Sequence, residues 1–265
     1  MINIILRKFR DQWRSIIYYL IGLIGYAWMI IGLYPTMEKA NFDEIIKNYP
    51  EEMLEFFGGE GAAASFSTIE GFLSLEFLSL FFILISIFYV ASAAGSSIAG
   101  AIEKKTLDFQ LAQPVSRTKL LLAETILGLI VTAGIVKVTT LAMWLLATAY
   151  DTEIKRDGLI AFALTATLLL WAFYGIALFL SSFIRSRLVV ITATVFIMMG
   201  FYVFTSMTQI IDKLASYDRL SIFFLYKPDE LLRSGNINEN HLLVLAAITL
   251  TGIIGSLIVF NRRDI

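Results

Sequence analysis

Apolar residues run along this chain in long uninterrupted blocks, without the alternation of a half-buried strand. A helix needs about 20 mostly apolar residues to cross about 30 Å of hydrocarbon. Six blocks qualify: Ile16 to Thr36, Phe72 to Gly100, Leu120 to Tyr150, Leu159 to Ile184, Leu188 to Ile211 and Leu242 to Phe260. Four of the six carry no charge. Backbone groups in lipid must be bonded within their own segment or in a closed barrel, and continuous runs without period-2 patterning read as helices. The predicted fold is all-α, a polytopic bundle of six transmembrane helices forming one domain over residues 1–265. The first run is too long, and too poor in a small-residue cleavage site, for a removed signal. It is expected to stay as a span of a complete chain.

The segments between the blocks carry the charge. Residues 1–15, 101–119, 185–187 and 261–265 hold 12 Lys and Arg in 42 positions, against 8 in the 73 positions of the opposite loops. The positive-inside rule then places both termini in the cytoplasm. The first fifteen residues put Ile2, Ile5, Leu6, Phe9 and Trp13 on one helical face and Arg7, Arg10 and Arg14 on the other. That is the pattern of an amphipathic interfacial helix, either a plain positive flank or a grip for a partner.

The segment after the first span carries Glu38, Asp43, Glu44, Glu51, Glu52, Glu55, Glu60 and Glu70 and belongs outside. Phe42, Ile45, Ile46 and Tyr49 repeat at helical spacing, and Pro50 opens a second short helix that Gly58, Gly59 and Gly61 end. The pair reads as a cap on the bundle, with a substrate or ion receptor as the alternative. The last outer loop, with Leu220 to Tyr226, then Pro228, Asp229 and Glu230 and a stop at Gly235, reads as an interfacial helix pair that gates an exit or caps it.

On the inner side, Glu103 to Leu111 can form a short helix with Leu107 and Leu111 on one face, which Pro114 breaks before Ser116 and Arg117. Such a charged elbow transmits a push between two spans, or it is an ordinary positive loop that only sets topology. Three charges lie inside spans: Lys137 deep in the third, Glu124 near the inner end of the same helix and Glu76 near the outer end of the second. Each costs about 2.5–3.5 kcal/mol at the bilayer centre unless it is met. Lys137 faces a polar path, or is satisfied inside the bundle by hydroxyls such as Thr139 or Thr140; Glu124 and Glu76 read as interfacial snorkellers. Gly22, Gly25, Gly95, Gly100, Gly252 and Gly255 read as close-packing or kink positions.

Composition narrows the function. Of 265 residues 58% are apolar and 16% charged, against about 45–50% and about 25% in soluble domains. With a mean hydropathy of +0.76, a water-soluble enzyme is disfavoured. No cysteine is present, so disulfides, thiolate metal sites and cysteine nucleophiles are excluded, and the single histidine, His241, forbids a two-histidine metal site. His241 sits at a span boundary, which leaves little for a serine–histidine dyad and hence for a membrane enzyme. A formal charge of −1 gives no footprint for nucleic acid. No phosphate-binding G-x-x-x-x-G-K-[ST] loop occurs.

Glu103-x-x-Thr106-Leu107, continuing through Pro114-Val115-Ser116-Arg117 into an apolar span, resembles the E-x-x-G-T-L helix and P-V-S-R turn of type-2 ABC exporter permeases. The ending Phe260-Asn261-Arg262-Arg263-Asp264-Ile265 resembles their F-x-R-R-D close, and the six-span layout with a large first outer loop matches as well. The family glycine before the threonine is Lys105 here, and a residue with a β-carbon is expected to let the helix continue.

The resemblance implies a cell-membrane permease subunit. In it, Glu103, Thr106, Leu107, Leu111, Pro114, Ser116 and Arg117 seat against separate ABC-type ATPase subunits, and ATP and Mg are bound on that partner and not on this chain. It further implies a second copy or a related permease as the other half, and export of a solute. Lys137, Glu76 and Glu124 are the candidates for a transport path or an intramembrane charge. A non-transporting scaffold or assembly protein in the bilayer is the reading from another class.

Overall fold

The computed structural model describes residues 2–39, 68–107 and 116–263. Helix α1, Ile2–Lys39, is one uninterrupted helix, so the amphipathic opening and the first span are a single rod. Among the described residues, five helices are long and apolar enough to span a membrane. They are α1 and the helices named here α5 (Arg117–Ala149), α6 (Arg156–Phe183), α7 (Arg187–Ile210) and α9 (Glu239–Arg262).

The sixth expected span is built from pieces. Helix α2, Ile69–Leu73, runs into a π-helical turn at Ser74–Leu78, and helix α3, Phe81–Ser97, follows at a bend of 41°. The π turn is recorded in the bond from Ser79 N–H to Ser74 O at 2.9 Å, one residue wider than an α-helical bond. A second break at Ile98 separates α3 from helix α4, Ala99–Glu103. There the Ala99 N–H, which the break deprives of a helical acceptor, donates to Ser181 Oγ of α6 at 3.0 Å. The expected continuous helix from Phe72 to Gly100 is therefore twice interrupted.

Helix α6 is the hub, packed against α3, α5, α7, α9 and the short helix α8, Pro228–Ser234. Of its apolar window 61% is buried, against 22% for α1 and α9 and 17% for α7, so the other helices wrap it and turn one face outward. Apolar burial drives no association between helices in lipid, so close backbone approach has to do it. Gly175 of α6 faces Gly252 of α9, and a β-carbon on Gly175 would stand 2.8 Å from Thr249 O. Gly255 is likewise close-packed, on the Phe179 ring, and Ser256 Oγ adds a hydrogen bond to Leu178 O at 3.1 Å. Gly95 and Gly100 receive the start of α7 through Arg187 and Val190. Gly22 and Gly25, expected to be packing positions too, have open space where a β-carbon would point.

Helices α1 and α5 run side by side in the same direction. Lys8 meets Glu124 near their starts, and near their ends Trp28 Nε1 donates to Tyr150 Oη at 2.9 Å. One end of the bundle thus gathers the start of α1, α4, the starts of α5 and α7 and the ends of α6 and α9; it is called the termini end below.

At the opposite, loop end, two 3₁₀ segments, Asp212–Leu220 and Ile222–Leu225, lead into α8. As the sequence suggested, α8 opens on Pro228 with Asp229 and Glu230 in its first turn and stops at Gly235, which takes a left-handed φ of 68°. Tyr226 reaches back from this loop to donate to Leu78 O, at the end of the π turn, at 3.1 Å. Burial holds its phenol well above the ordinary value, so the proton needed for that bond stays in place. The expected helices around Phe42 to Tyr49 and after Pro50 lie outside the described residues, as do the acidic residues from Asp43 to Glu60.

Candidate functional site

The elbow is where the structure departs most usefully from expectation. Helix α4 ends at Glu103, and Lys105 takes a φ of 53°. Lys105 N–H donates to Ile102 O and Thr106 N–H to Ala101 O, each at 2.9 Å. Those two bonds, with a left-handed residue between them and the helix, are a Schellman stop, a conformation that favours glycine because it has no β-carbon. Lys105 therefore does not continue the helix; it ends it, at the position where the resembling motif has glycine. Lys105→Gly is expected to raise stability by about 1 kcal/mol, read as a higher unfolding temperature in detergent. A lowered temperature would contradict the helix stop.

Beyond the stop, Thr106 Oγ1 bonds Ala101 O at 3.3 Å and the Leu107 side chain is buried. Ser116 then caps α5, accepting from Lys119 N–H at 3.3 Å. Leu111 and Pro114 lie outside the described residues.

Two of the expected residues tie the elbow to the rest of the termini end. Glu103 Oε2 accepts from the Arg187 N–H at 2.8 Å, so α4 supplies a carboxylate to the start of α7. The residue preceding α7, Ser186, makes no side-chain cap of its own, and an anion is favoured at that position by the helix dipole. The Arg187 guanidinium turns back to the Ser92 hydroxyl of α3. Arg117 Nη1 donates to Arg263 O at 2.7 Å, and Arg263 Nη1 to Ser182 O of α6 at 2.7 Å. Elbow, α3, α6, α7 and the end of α9 are thus one hydrogen-bonded unit. Arg187 was visible in the sequence only as an inner-side positive charge, and Arg263 as part of the F-x-R-R-D ending, with no signal of the bonds they make.

The intramembrane charges separate. Glu124 is buried and pairs with Lys8 Nζ at 2.6 Å, which corrects the snorkelling expectation: this carboxylate faces inward and its partner comes from α1. Tyr174 Oη donates to the Glu124 carbonyl oxygen at 3.2 Å, its ring lying where Gly128 leaves room. Lys137 is exposed on the outward face of α5, in a stripe with Ile126, Ile130, Gly134, Leu141 and Leu145. Thr139 and Thr140 are buried on the other side, and Thr140 Oγ1 bonds Val136 O at 2.9 Å. The bundle-internal satisfaction of Lys137 by these hydroxyls is therefore overturned. Glu76 sits half-buried in the π turn, and no ion pair joins it to Lys137 among the described residues.

The loop end carries a half-open cavity of about 760 Å³, whose lining includes Lys227, Asp229, Arg233, Asn238, Glu239 and His241. Four of its charges are spent on one another: Lys227 pairs with Glu230 at 3.1 Å and Arg233 with Asp229 at 2.6 Å. The His241 ring packs 5.4 Å from that of Phe224.

The described residues thus form a helical, multi-pass bundle of the kind that crosses a membrane, with a tethered elbow at one end. The chain belongs to the ABC-2 transporter family: the family description "ABC-2 family transporter protein" matches residues 2–265, nearly the whole length. It is a multi-pass membrane protein and the permease component of an ABC transporter, in a family that generally works with an ABC ATPase subunit and often dimerises. No curated protein matches the chain.

Proposed function

We propose that this chain, as a single permease domain, forms one half of a solute exporter in the cell membrane, with both termini cytoplasmic and a second copy or related permease as the other half. A separate ABC-type ATPase, which binds the ATP and Mg, docks on the elbow formed by Glu103, Thr106, Leu107, Leu111, Pro114, Ser116 and Arg117. The observation that carries the reading is the Glu103 carboxylate on the first N–H of α7. A push on the elbow moves α4, and α4 holds the start of α7. The excess of Lys and Arg at the termini end supports the cytoplasmic placement of that end.

Helix α7 is the best candidate for the path. It has the least buried window of the spanning helices, and it turns Val189, Thr192, Phe196, Gly200, Val203 and Met207 outward at helical spacing. A stripe that includes a hydroxyl and a glycine suits a seam shared with a second half better than a lipid face. Lys137 also looks out of the protomer, so its charge is met there rather than within. Glu76, half-buried in the π turn of the second span, is the third candidate for the path.

Purification of the tagged full chain from its own membrane in mild detergent tests the reading. An ABC-type ATPase is expected to co-purify in stoichiometric amount; a clean preparation without one returns the scaffold reading to first place.

A further inference from the structure

Helix α6 ends at Phe183, and Arg185 lies in the link before α7. The bond from Arg263 to Ser182 O holds a second guanidinium at the same helix end, three positions before Arg185 in sequence, and Arg117 fixes the Arg263 backbone from the other side. Burial first, and then the charge of Arg185, push the Arg263 guanidinium below the ordinary arginine value. Among the described residues the ion pairs are Lys8 with Glu124, Lys227 with Glu230 and Arg233 with Asp229, and none neutralises Arg185, Arg262 or Arg263.

Directly along the bundle from these arginines the surface is apolar and open. Phe179 and Phe183 stand edge to face with centroids 5.4 Å apart, and both are exposed. Phe179 lies over Gly255 of α9, where a β-carbon would come within 3.0 Å of its ring, so the two rings line the α6–α9 seam. Ile258 of α9, three positions after Gly255, and Leu188 at the start of α7 are exposed as well. The order along the bundle is therefore aromatic and aliphatic surface first, then guanidinium groups at the helix ends.

That order matches a phospholipid standing in its leaflet, with acyl chains on the rings and the phosphate at the arginines. We propose that the junction of α6, α7 and α9 at the termini end binds an anionic phospholipid, with Arg185 and Arg263 as donors to its phosphate. Planar guanidinium groups suit a phosphate because they offer paired N–H donors. Among the described residues the arginines at this junction outnumber the one carboxylate there, Glu103, which is held on the Arg187 N–H, and that excess of positive charge favours a headgroup of net negative charge over a zwitterionic one, whose own cation would be repelled. The site needs neither an ATPase nor a particular cargo.

Native mass spectrometry of the full chain in detergent, titrated with phosphatidylglycerol or phosphatidylcholine of the same acyl chains, tests the proposal. Phosphatidylglycerol is expected to bind about fivefold or more tightly than phosphatidylcholine. Arg185→Gln, which removes a side chain with no hydrogen bond to another side chain or backbone group among the described residues, is expected to abolish that preference without lowering the unfolding temperature. Lys119→Gln removes the same charge from the same end of the bundle and is expected to leave the preference intact. Equal binding of the two lipids by the wild type overturns the proposal. That is also the result if Asp264, which follows Arg263 and lies outside the described residues, already occupies the arginines. An unchanged preference in Arg185→Gln, or an equal loss in Lys119→Gln, overturns it too.

Discussion

Lys8→Met is expected to destabilise the folded chain by about 3 kcal/mol, because it leaves the Glu124 carboxylate buried without its cation. The pair is asymmetric: the Glu124 side chain is 7% exposed and that of Lys8 26% exposed, so the uncompensated charge falls on the acid. In a thermal melt in detergent the variant should unfold on the order of 5–10 °C below the wild type. Adding Glu124→Gln to Lys8→Met should recover part of the loss, because the amide carries no charge and the Tyr174 bond goes to the backbone carbonyl. A Lys8→Met melt within a degree of the wild type would show that the pair holds nothing.

Glu103→Ala has the larger functional effect. It removes the carboxylate that accepts from Arg187 N–H, and with it the link from the elbow to α7. The structural cost is that of a lost helix cap, about 1 kcal/mol, which a bundle of this size tolerates. The coupling cost is greater, since a push on α4 no longer reaches α7: substrate-stimulated ATPase of the reconstituted complex should fall roughly tenfold, within the usual range of coupling energies. Glu103→Gln keeps an acceptor at the same place and should retain most of the stimulation. Full stimulation in Glu103→Ala would remove the elbow from the mechanism.

The spans were legible because length and apolarity alone determine them. What happens inside a span was not. The π turn at Ser74–Leu78 alters the hydrogen-bond register and no hydropathy, and one of its carbonyls is satisfied by Tyr226, 148 positions further on. The facing of α5 was hidden by an inversion of the soluble rule: its hydroxyls, Thr132, Thr139 and Thr140, point inward, while Ile130, Leu141 and Leu145 point out. Lys137, for which a polar path and those hydroxyls were the two alternatives, sits on the outward side among the aliphatic residues. Glu124 could not be read as buried without Lys8, which lies on another helix. The elbow was legible as a motif, and Lys105 as a departure from it, but the φ of 53° belongs to the backbone and no propensity of lysine announces it.

The central claim is that an ABC-type ATPase seats on the elbow at the termini end. The absence of native cysteine allows a direct test, because a single introduced thiol is the only one in the chain. Lys104→Cys, exposed at the elbow, and Asn236→Cys, exposed at the loop end, would each carry a thiol-reactive photo-cross-linker in the complex purified from membrane. The Lys104→Cys variant should give a cross-linked band containing the ATPase, and the Asn236→Cys variant none. An ATPase cross-link from the loop end, or none from the elbow in a complex that still contains the ATPase, would contradict the account.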